Sequence, residues 1–440
     1  MADWMPLLMF ISLFGLLLLG FPVAFTLGGV SLIFGLLTFG SNFFNLLPLR
    51  IWGIMSNYVL IAVPLFIYMG VMLEKSGLAE DLLETMALLF GRLRGGLAIS
   101  VVVVGALLGA STGIVGATVV TMGLLSLPTM LKRGYSPALA AGTISAAGTL
   151  GQIIPPSIVL VLLGSILNVS IGEMFIGAVF PSAILVLLFL GWLVIVAVFR
   201  PQIAPCMPKE DLQKFKGRAM IVRVLNAFIL PFFLILAVLG SIFAGIASPT
   251  EAAAVGAFGA TLLTLLRGRF TIEALKAVMK ETTLLTSMVF IILVGATAFG
   301  LVFRGMNGDR QLTQLILDAN LSPGIFLLAV MAVIFVAGFF IDFIEITFII
   351  VPVVAPILAK MGVDLLWIGV LIAMNLQTSF LTPPFGFSLF YLKGVAPPSV
   401  TTMHLYKGIT PFVIIQLITL LIIILFPATV TWLPRVAFQQ

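Results

Sequence analysis

Apolar residues run through this chain in long stretches broken by a few short polar patches. Residues 6–20 and 22–39 are apolar and part at Phe21-Pro22, and 54–73 form a third segment. Each is close to the roughly 20 residues that cross a hydrocarbon layer. Glu80 to Arg94 instead sets Leu82, Leu83, Met86, Leu89, Phe90 and Leu93 at helical spacing opposite charges, the pattern of a helix along the membrane interface. From Gly95 to Leu131 no residue is charged. That segment is too long for one crossing and carries Gly109-Ala110-Ser111-Thr112-Gly113 at its middle. Arg94 flanks it on one side and Lys132 and Arg133 on the other, which favours a re-entrant hairpin over 95–131 with its tip inside the membrane. The alternative is a small-residue helix-packing contact.

Two of the polar patches answer each other. Ala147-Gly-Thr-Leu-Gly-Gln-Ile-Ile-Pro-Pro156 and Asn375-Leu-Gln-Thr-Ser-Phe-Leu-Thr-Pro-Pro384 both interrupt an apolar run and close on Pro-Pro, 228 residues apart. Proline cannot continue a helix and lacks a backbone donor, so the carbonyls of Gly151, Gln152, Ser379 and Phe380 are expected to lack helical partners. At membrane depth such carbonyls need a cavity or an ion, which predicts broken helices over 137–167 and 364–394. The same offset, 227 or 228, relates Pro22 to Pro249, Asp81 to Asp309, Gly96 to Gly324, Pro128 to Pro356 and Gly134 to Gly362.

The second half therefore repeats the first. Spans are expected over 174–199, 225–246, 251–266, 283–303 and 409–427, a second interfacial helix at Gly308–Asp318, and a second hairpin over 323–359 carrying Asp342 and Glu345. The domains read as a repeat over 1–199, a polar cytoplasmic linker over 200–223 and a repeat over 224–440. Five crossings and one hairpin in each half are an odd number, so the halves insert with opposite orientation and both termini lie outside. Ser170-x-x-Glu173 and Ser248-x-x-Glu251 read as capping boxes.

Composition agrees with a polytopic all-α membrane protein. The 440 residues are 61% hydrophobic and 9% charged, with a mean hydropathy of +1.28. No ten-residue alternation suggests a β-barrel. The net charge of +6 comes from basic clusters at Arg92/Arg94, Lys132/Arg133, Arg200–Arg223 and Arg267–Lys280. With these and Lys75, Lys393 and Lys407 on the cytoplasmic side, only Arg50, Arg304, Arg310, Lys360 and Arg435 fall outside, so a nucleic-acid partner is not needed. Cys206 alone makes no intramolecular disulfide, and His404 alone makes no His-rich metal site. The Met1-Ala-Asp-Trp4 start has no basic region before its apolar run, which reads as a first span without a cleaved signal.

The chemistry on offer is that of ion and solute binding. Ser111 and Thr112 on the first tip, Thr149 on the broken helix and nearby carbonyls form a first site whose groups do not titrate near neutral pH, so a cation such as sodium fits it better than a proton. Asp342, Gln377, Thr378, Ser379 and Thr382 form a second set with a carboxylate, which is either an ion ligand or a brace for the hairpin tip. Glu345, one turn on, faces solvent or partners Asp342. Asn375, opposite Ala147 in the repeat, contacts substrate or makes an interhelical hydrogen bond. The substrate-binding residues expected at the breaks and the tip are Ser111, Gln152, Pro155, Asn375, Ser379 and Pro383. No phosphate-binding Gly-x-x-x-x-Gly-Lys-Ser/Thr loop, His-Glu-x-x-His or Ser/His/Asp set is present, so neither ATP hydrolysis by that loop nor enzymatic catalysis is expected.

Four motifs carry a family resemblance: Gly20-Phe-Pro-Val-Ala-Phe-Thr-Leu-Gly28, the Gly109–Gly113 tip, Gln152-Ile-Ile-Pro-Pro-Ser157 and Leu381-Thr-Pro-Pro-Phe-Gly386. Over essentially its whole length the chain resembles the large membrane subunit of tripartite ATP-independent periplasmic (TRAP) transporters. The resemblance implies a bacterial inner-membrane, sodium-coupled importer of organic acids such as dicarboxylates or sialic acid, working by an elevator mechanism without an organic cofactor. It implies two partners, a small four-span membrane subunit and a periplasmic substrate-binding protein. The small subunit is expected to be a separate chain, because the first span begins at once. It also matches Ser111 and Gly113 to a first sodium site, with Thr112, Thr149 and Gly151 beside them, and Asp342 and Thr382 to a second, with Gln377 and Thr378. The competing reading is a stand-alone carboxylate carrier of the divalent anion/sodium symporter type, which resembles Ser-Asn-Thr at both hairpin tips; here the tips read Ser111-Thr112-Gly113 and Phe340-Ile341-Asp342. A passive channel is a third, which broken helices disfavour.

Overall fold

The computed structural model describes residues 4–112, 115–208, 218–318 and 321–438, with the side chains of residues 42, 43, 110–112, 218, 219 and 315–317 outside that description. Every regular element among them is helical, and seven helices are long and apolar enough to cross a membrane. The chain is a polytopic membrane protein. The first half runs through α1 (Met5–Leu18), α2 (Val23–Phe39), short α3 (Leu47–Met55), α4 (Ala62–Lys75) and α5 (Leu78–Phe90). Two limbs, α6 (Gly96–Thr112) and α7 (Val115–Lys132), lead to α8 (Pro137–Thr149). A 3-10 turn at Leu150–Gln152 ends α8, and α9 (Ile158–Leu167) and α10 (Ile171–Phe199) follow.

The second half runs through α11 (Arg218–Val224), α12 (Leu230–Phe243), α13 (Pro249–Leu266), α14 (Ile272–Gly305) and α15 (Gly308–Asp318). Next come α16 (Pro323–Ala337), α17 (Phe343–Ile349) and α18 (Val351–Lys360). The last four are α19 (Leu365–Leu381), α20 (Phe387–Val395), α21 (Thr402–Leu425) and α22 (Ala428–Phe438). Gly134 and Gly362 both take left-handed φ, +81° and +78°, in the turns that follow α7 and α18. Only a residue without Cβ enters that region readily. The Pro155-Pro156 and Pro383-Pro384 bonds are both cis.

Several boundaries differ from the expected ones. The span expected over 283–303 is one helix of 34 residues, α14, because Glu273, Lys276, Lys280 and Glu281 sit on its first turns, where the helix can stand in water before entering the apolar layer. The span expected at 225 begins at Arg218 and passes through a π turn at Leu225–Ile229 into α12. Pro231, at the start of α12, has no N–H to give the preceding turn, and this locally widens the helical register. Ser170 is the N-cap of α10 by backbone, yet its hydroxyl makes no cap bond, so the capping box with Glu173 is absent. Ser248 does form its box with Glu251. The first interfacial helix stops at Phe90, and Leu89 and Leu93 are exposed.

The linker is not a free strap where it is described. Ala204 O accepts from Gly95 N, Ile203 O from Ser136 N, and Met207 N donates to Gly91 O. These bonds tie the segment to the turns at both ends of the α6–α7 pair.

Helices α8 and α19 are buried on every face, from Leu139 to Thr149 and from Ile368 to Leu381. Small residues make this possible in α8, where Gly142 meets the carbonyl of Gly408 on α21 so closely that no Cβ fits. Outer helices instead present large apolar side chains outward, among them Leu187, Phe199, Phe258 and Leu284, which suits lipid as the surrounding solvent.

The two halves are interleaved. α13 packs on α4 while α2 packs on α14, and α20 packs on α7 while α9 packs on α17 and α18. Each contact becomes its counterpart when the halves are exchanged.

Candidate functional site

The two breaks meet in the buried interior. Gln377 Nε2 donates to Thr149 Oγ1 at 3.4 Å, and these residues are 228 apart in sequence, the repeat offset itself. Thr149 Oγ1 also donates to Ala146 O at 2.9 Å, so the weak cross-link is its second bond. Ser388 Oγ, on α20, donates to Ser145 O at 3.1 Å and adds a second tie across the halves.

Each hairpin closes on its own break. A Cβ on Gly109 would stand 2.5 Å from Gly151 N, and one on Gly151 would stand 2.6 Å from Gly109 O, so α6 touches the first break backbone to backbone. On the other side Gly338 abuts the Ser379 hydroxyl, Phe340 packs on Phe385 with ring centroids 4.9 Å apart, and Phe343 on Phe380 at 6.2 Å. Asn375 Nδ2 donates to Met331 O on α16 at 2.8 Å, an interhelical bond within the second half. Of the first-tip residues, Gly113 lies outside the described residues, and so do the side chains of Ser111 and Thr112.

Two of the four carbonyls expected to be free are occupied. Ser157 Oγ donates to Gln152 O at 2.7 Å, and Thr382 N to Ser379 O at 3.2 Å. A hydroxyl placed just after the prolines supplies the bond that the prolines remove. The side chains of Thr378, Ser379 and Thr382 also bond back to their own helix, to Met374 O, Leu376 O and Thr378 O. Their hydroxyl lone pairs remain able to accept or to bind a cation.

Buried amides are left with unused capacity. Neither Oε1 nor Nε2 of Gln152 has a partner, nor does Gln377 Oε1, although both side chains are fully buried. Gln416 is in the same condition on α21, on the stretch between the Gly408 contact with α8 and the Trp367–Ile423 hydrogen bond from α19. Buried amides without partners are rare and point to a polar occupant. Gln416 was not singled out in the sequence; its signal was a lone amide in the middle of an apolar span of 24 residues. Glu74 was missed for a similar reason, at the end of α4, where Thr121 Oγ1 of α7 donates to its Oε1 at 2.9 Å.

Asp342 is the N-cap of α17. Phe343 N donates to its Oδ1 at 2.7 Å, and Glu345 Oε2 accepts from Asp342 N at 3.2 Å, a capping box that the Asp-x-x-Glu spacing allowed and the sequence reading did not use. Glu345 thus partners the backbone of Asp342. Pro155 is buried with the rest of the first break except half-buried Ile154, Pro383 is half-buried, and Pro384 and Phe385 are exposed. The α17–α18 pair bends by 50°, at the point where Pro352 interrupts the hydrogen-bond ladder. Among the described residues no three His, Cys, Asp or Glu side chains converge as metal ligands would.

A family model for the DctM component of tripartite ATP-independent periplasmic transporters matches residues 10–429. The chain belongs to this family. It is 32% identical over 448 residues to the C4-dicarboxylate TRAP transporter large permease protein DctM of Vibrio cholerae, covering 97% of each chain. It is also 32% identical to the ectoine TRAP transporter large permease protein TeaC of Halomonas elongata, covering 99% of this chain and 100% of that one. Among solved structures it resembles the YdaH transporter of Alcanivorax borkumensis, with a TM-score of 0.61 and 16% identity over 96% of this chain and 98% of the other. That likeness is one of fold. This member of the DctM family is a membrane transporter subunit, not an enzyme.

Proposed function

We propose that the chain is the translocation subunit of a sodium-coupled, binding-protein-dependent importer of small organic acids in a bacterial inner membrane. The observation that carries the reading is the pair of broken helices meeting at Thr149 and Gln377, with unpartnered amides of Gln152 and Gln377 buried beside them. Neutral oxygens suit a sodium ion. One site is built on Ser111, Thr112, Gly113, Thr149 and Gly151, and a second on Asp342, Gln377, Thr378 and Thr382. The organic acid is held by Ser111, Gln152, Pro155, Asn375, Ser379 and Pro383. The two relatives are named for different cargoes, so the acid carried is chosen from small carboxylates and partly by the binding protein.

The halves are inverted repeats, a reading that rests on the offset of 228 and on contacts that interchange between them. The hairpins and broken helices move together across the membrane as an elevator against the outer helices. A small four-span subunit flanks those outer helices, and a periplasmic binding protein delivers the cargo.

The test is uptake by the chain reconstituted in liposomes with its small subunit. Accumulation of a labelled carboxylate should need both the binding protein and an inward sodium gradient. Uptake that proceeds equally without the binding protein, or that is indifferent to sodium, overturns the proposal in favour of a stand-alone carrier or a channel.

A further inference from the structure

A second polar site shares no residue with the breaks. A cavity of about 550 Å³ opens where α5 meets the start of α12 and the end of α13, lined by Asp81, Arg223, Arg267 and Arg269 together with the apolar walls of Leu230 and Leu266. Its ion pairs are incomplete. Arg267 and Arg269 share one carboxylate, Asp81, at 3.4 and 3.2 Å, while Arg223 reaches Glu84 at 2.5 Å. Among the described residues, the Arg267 and Arg269 guanidinium groups thus have a single carboxylate between them. Arg267 is the most enclosed of the three, and its Nε and one terminal nitrogen are buried without acceptors. Burial pulls its pKa below the usual arginine value, opposed by the nearby Asp81 carboxylate. An enclosed guanidinium with two idle donors fits a bidentate anion.

At the repeat offset of 227 or 228, Arg267 and Arg269 are answered by residues in the stretch Phe39-Gly-Ser-Asn42, which carries no charge, although Asp81 is answered by Asp309. This corner is thus basic without a basic counterpart at the repeat offset. Its depth is also informative, since the spans Met220–Phe243 and Pro249–Leu266 both have an end at this corner. The cavity therefore stands at head-group level, and Leu230 and Leu266, 40% and 74% exposed, continue it into the apolar layer.

We propose that this cavity binds the phosphate of an anionic phospholipid, with the Arg267 and Arg269 guanidinium groups on the head group and Leu230 and Leu266 along an acyl chain. Basic pockets between membrane helices suit such head groups. A bound lipid would cross-brace interfacial helix α5 to the α12–α13 corner, joining the two halves of the chain at the membrane surface.

The test is native mass spectrometry of the full chain in detergent, titrated with phosphatidylglycerol, with phosphatidylcholine, or with phosphatidylglycerol in the presence of inorganic phosphate. Phosphatidylglycerol should be preferred, and Arg267→Gln or Arg269→Gln should weaken its binding roughly fivefold each, the effect of one basic charge near a lipid surface. Asp81→Asn gives a change of opposite sign: removing the competing carboxylate should tighten lipid binding. If the arginines only brace Asp81, that variant instead leaves lipid binding unchanged or weaker, and the proposal fails. It also fails if both lipids bind alike, or if inorganic phosphate displaces the lipid at equal concentration, which would make the site one for a soluble anion.

Discussion

Asp342 joins structure and chemistry on one side chain. Its carboxylate caps α17 through Phe343 N, and asparagine caps a helix about as well as aspartate. Asp342→Asn should therefore fold and assemble, and any change in transport reports on the lost charge. As a sodium ligand it should show weaker apparent sodium affinity and a shallower sodium dependence of uptake, with the first site still able to bind its ion. Unaltered sodium dependence would leave Asp342 as a cap alone. Gly151 poses a steric question instead. A methyl there meets the carbonyl of Gly109, a backbone atom that cannot swing aside, so Gly151→Ala should destabilise by about 1–3 kcal/mol, read as a lower melting temperature in detergent. At this scale the sequence exposed the residue types well. It could not show that Ser157 would occupy the Gln152 carbonyl or that Gln416 would be buried without a partner, because both depend on where neighbouring backbone falls.

Among elements, the helix termini show how far local rules reach. Ser248 and Ser170 precede glutamates at the same spacing, yet only Ser248 forms the reciprocal box. Ser248→Ala should cost about 1 kcal/mol, whereas Ser170→Ala should change the melting temperature very little. Equal losses in the two variants would contradict the observed geometry. The bend at Pro352 and the π turn before Pro231 both follow from a missing N–H, which a sequence announces. The start of α14 does not announce itself by hydropathy, since its first turns are charged and the helix extends beyond the apolar stretch. Helices α8 and α19 gave clear signals for the opposite reason: proline at the breaks and small residues along α8 leave few other ways to pack in an apolar medium.

For the whole molecule, the testable property is the orientation of the halves. With inverted repeats, the ends of the two hairpins face opposite sides of the membrane. Cys206 is exposed and must first be removed. In a Cys206→Ser background, Lys360→Cys should react with an impermeant thiol reagent from outside and Lys132→Cys only from inside. Labelling of both from one side would end the inverted reading.

Composition and periodicity by themselves determined that this chain is a helical membrane protein, where its two helix breaks lie, and that motifs of its two halves recur at a shared offset of 227 or 228. These features are local: hydropathy sets which segments leave water, and proline and glycine set where a helix must stop, whatever the segment later touches. Only the tertiary structure decided that Thr149 and Gln377 would face each other, that each half's broken helix would pack on the other half's hairpin, and that Arg223, Arg267 and Arg269 would gather at one corner around Asp81. Those outcomes join residues far apart in the chain, and their energetics come from close packing and buried charge, which exist only once the helices have been brought together.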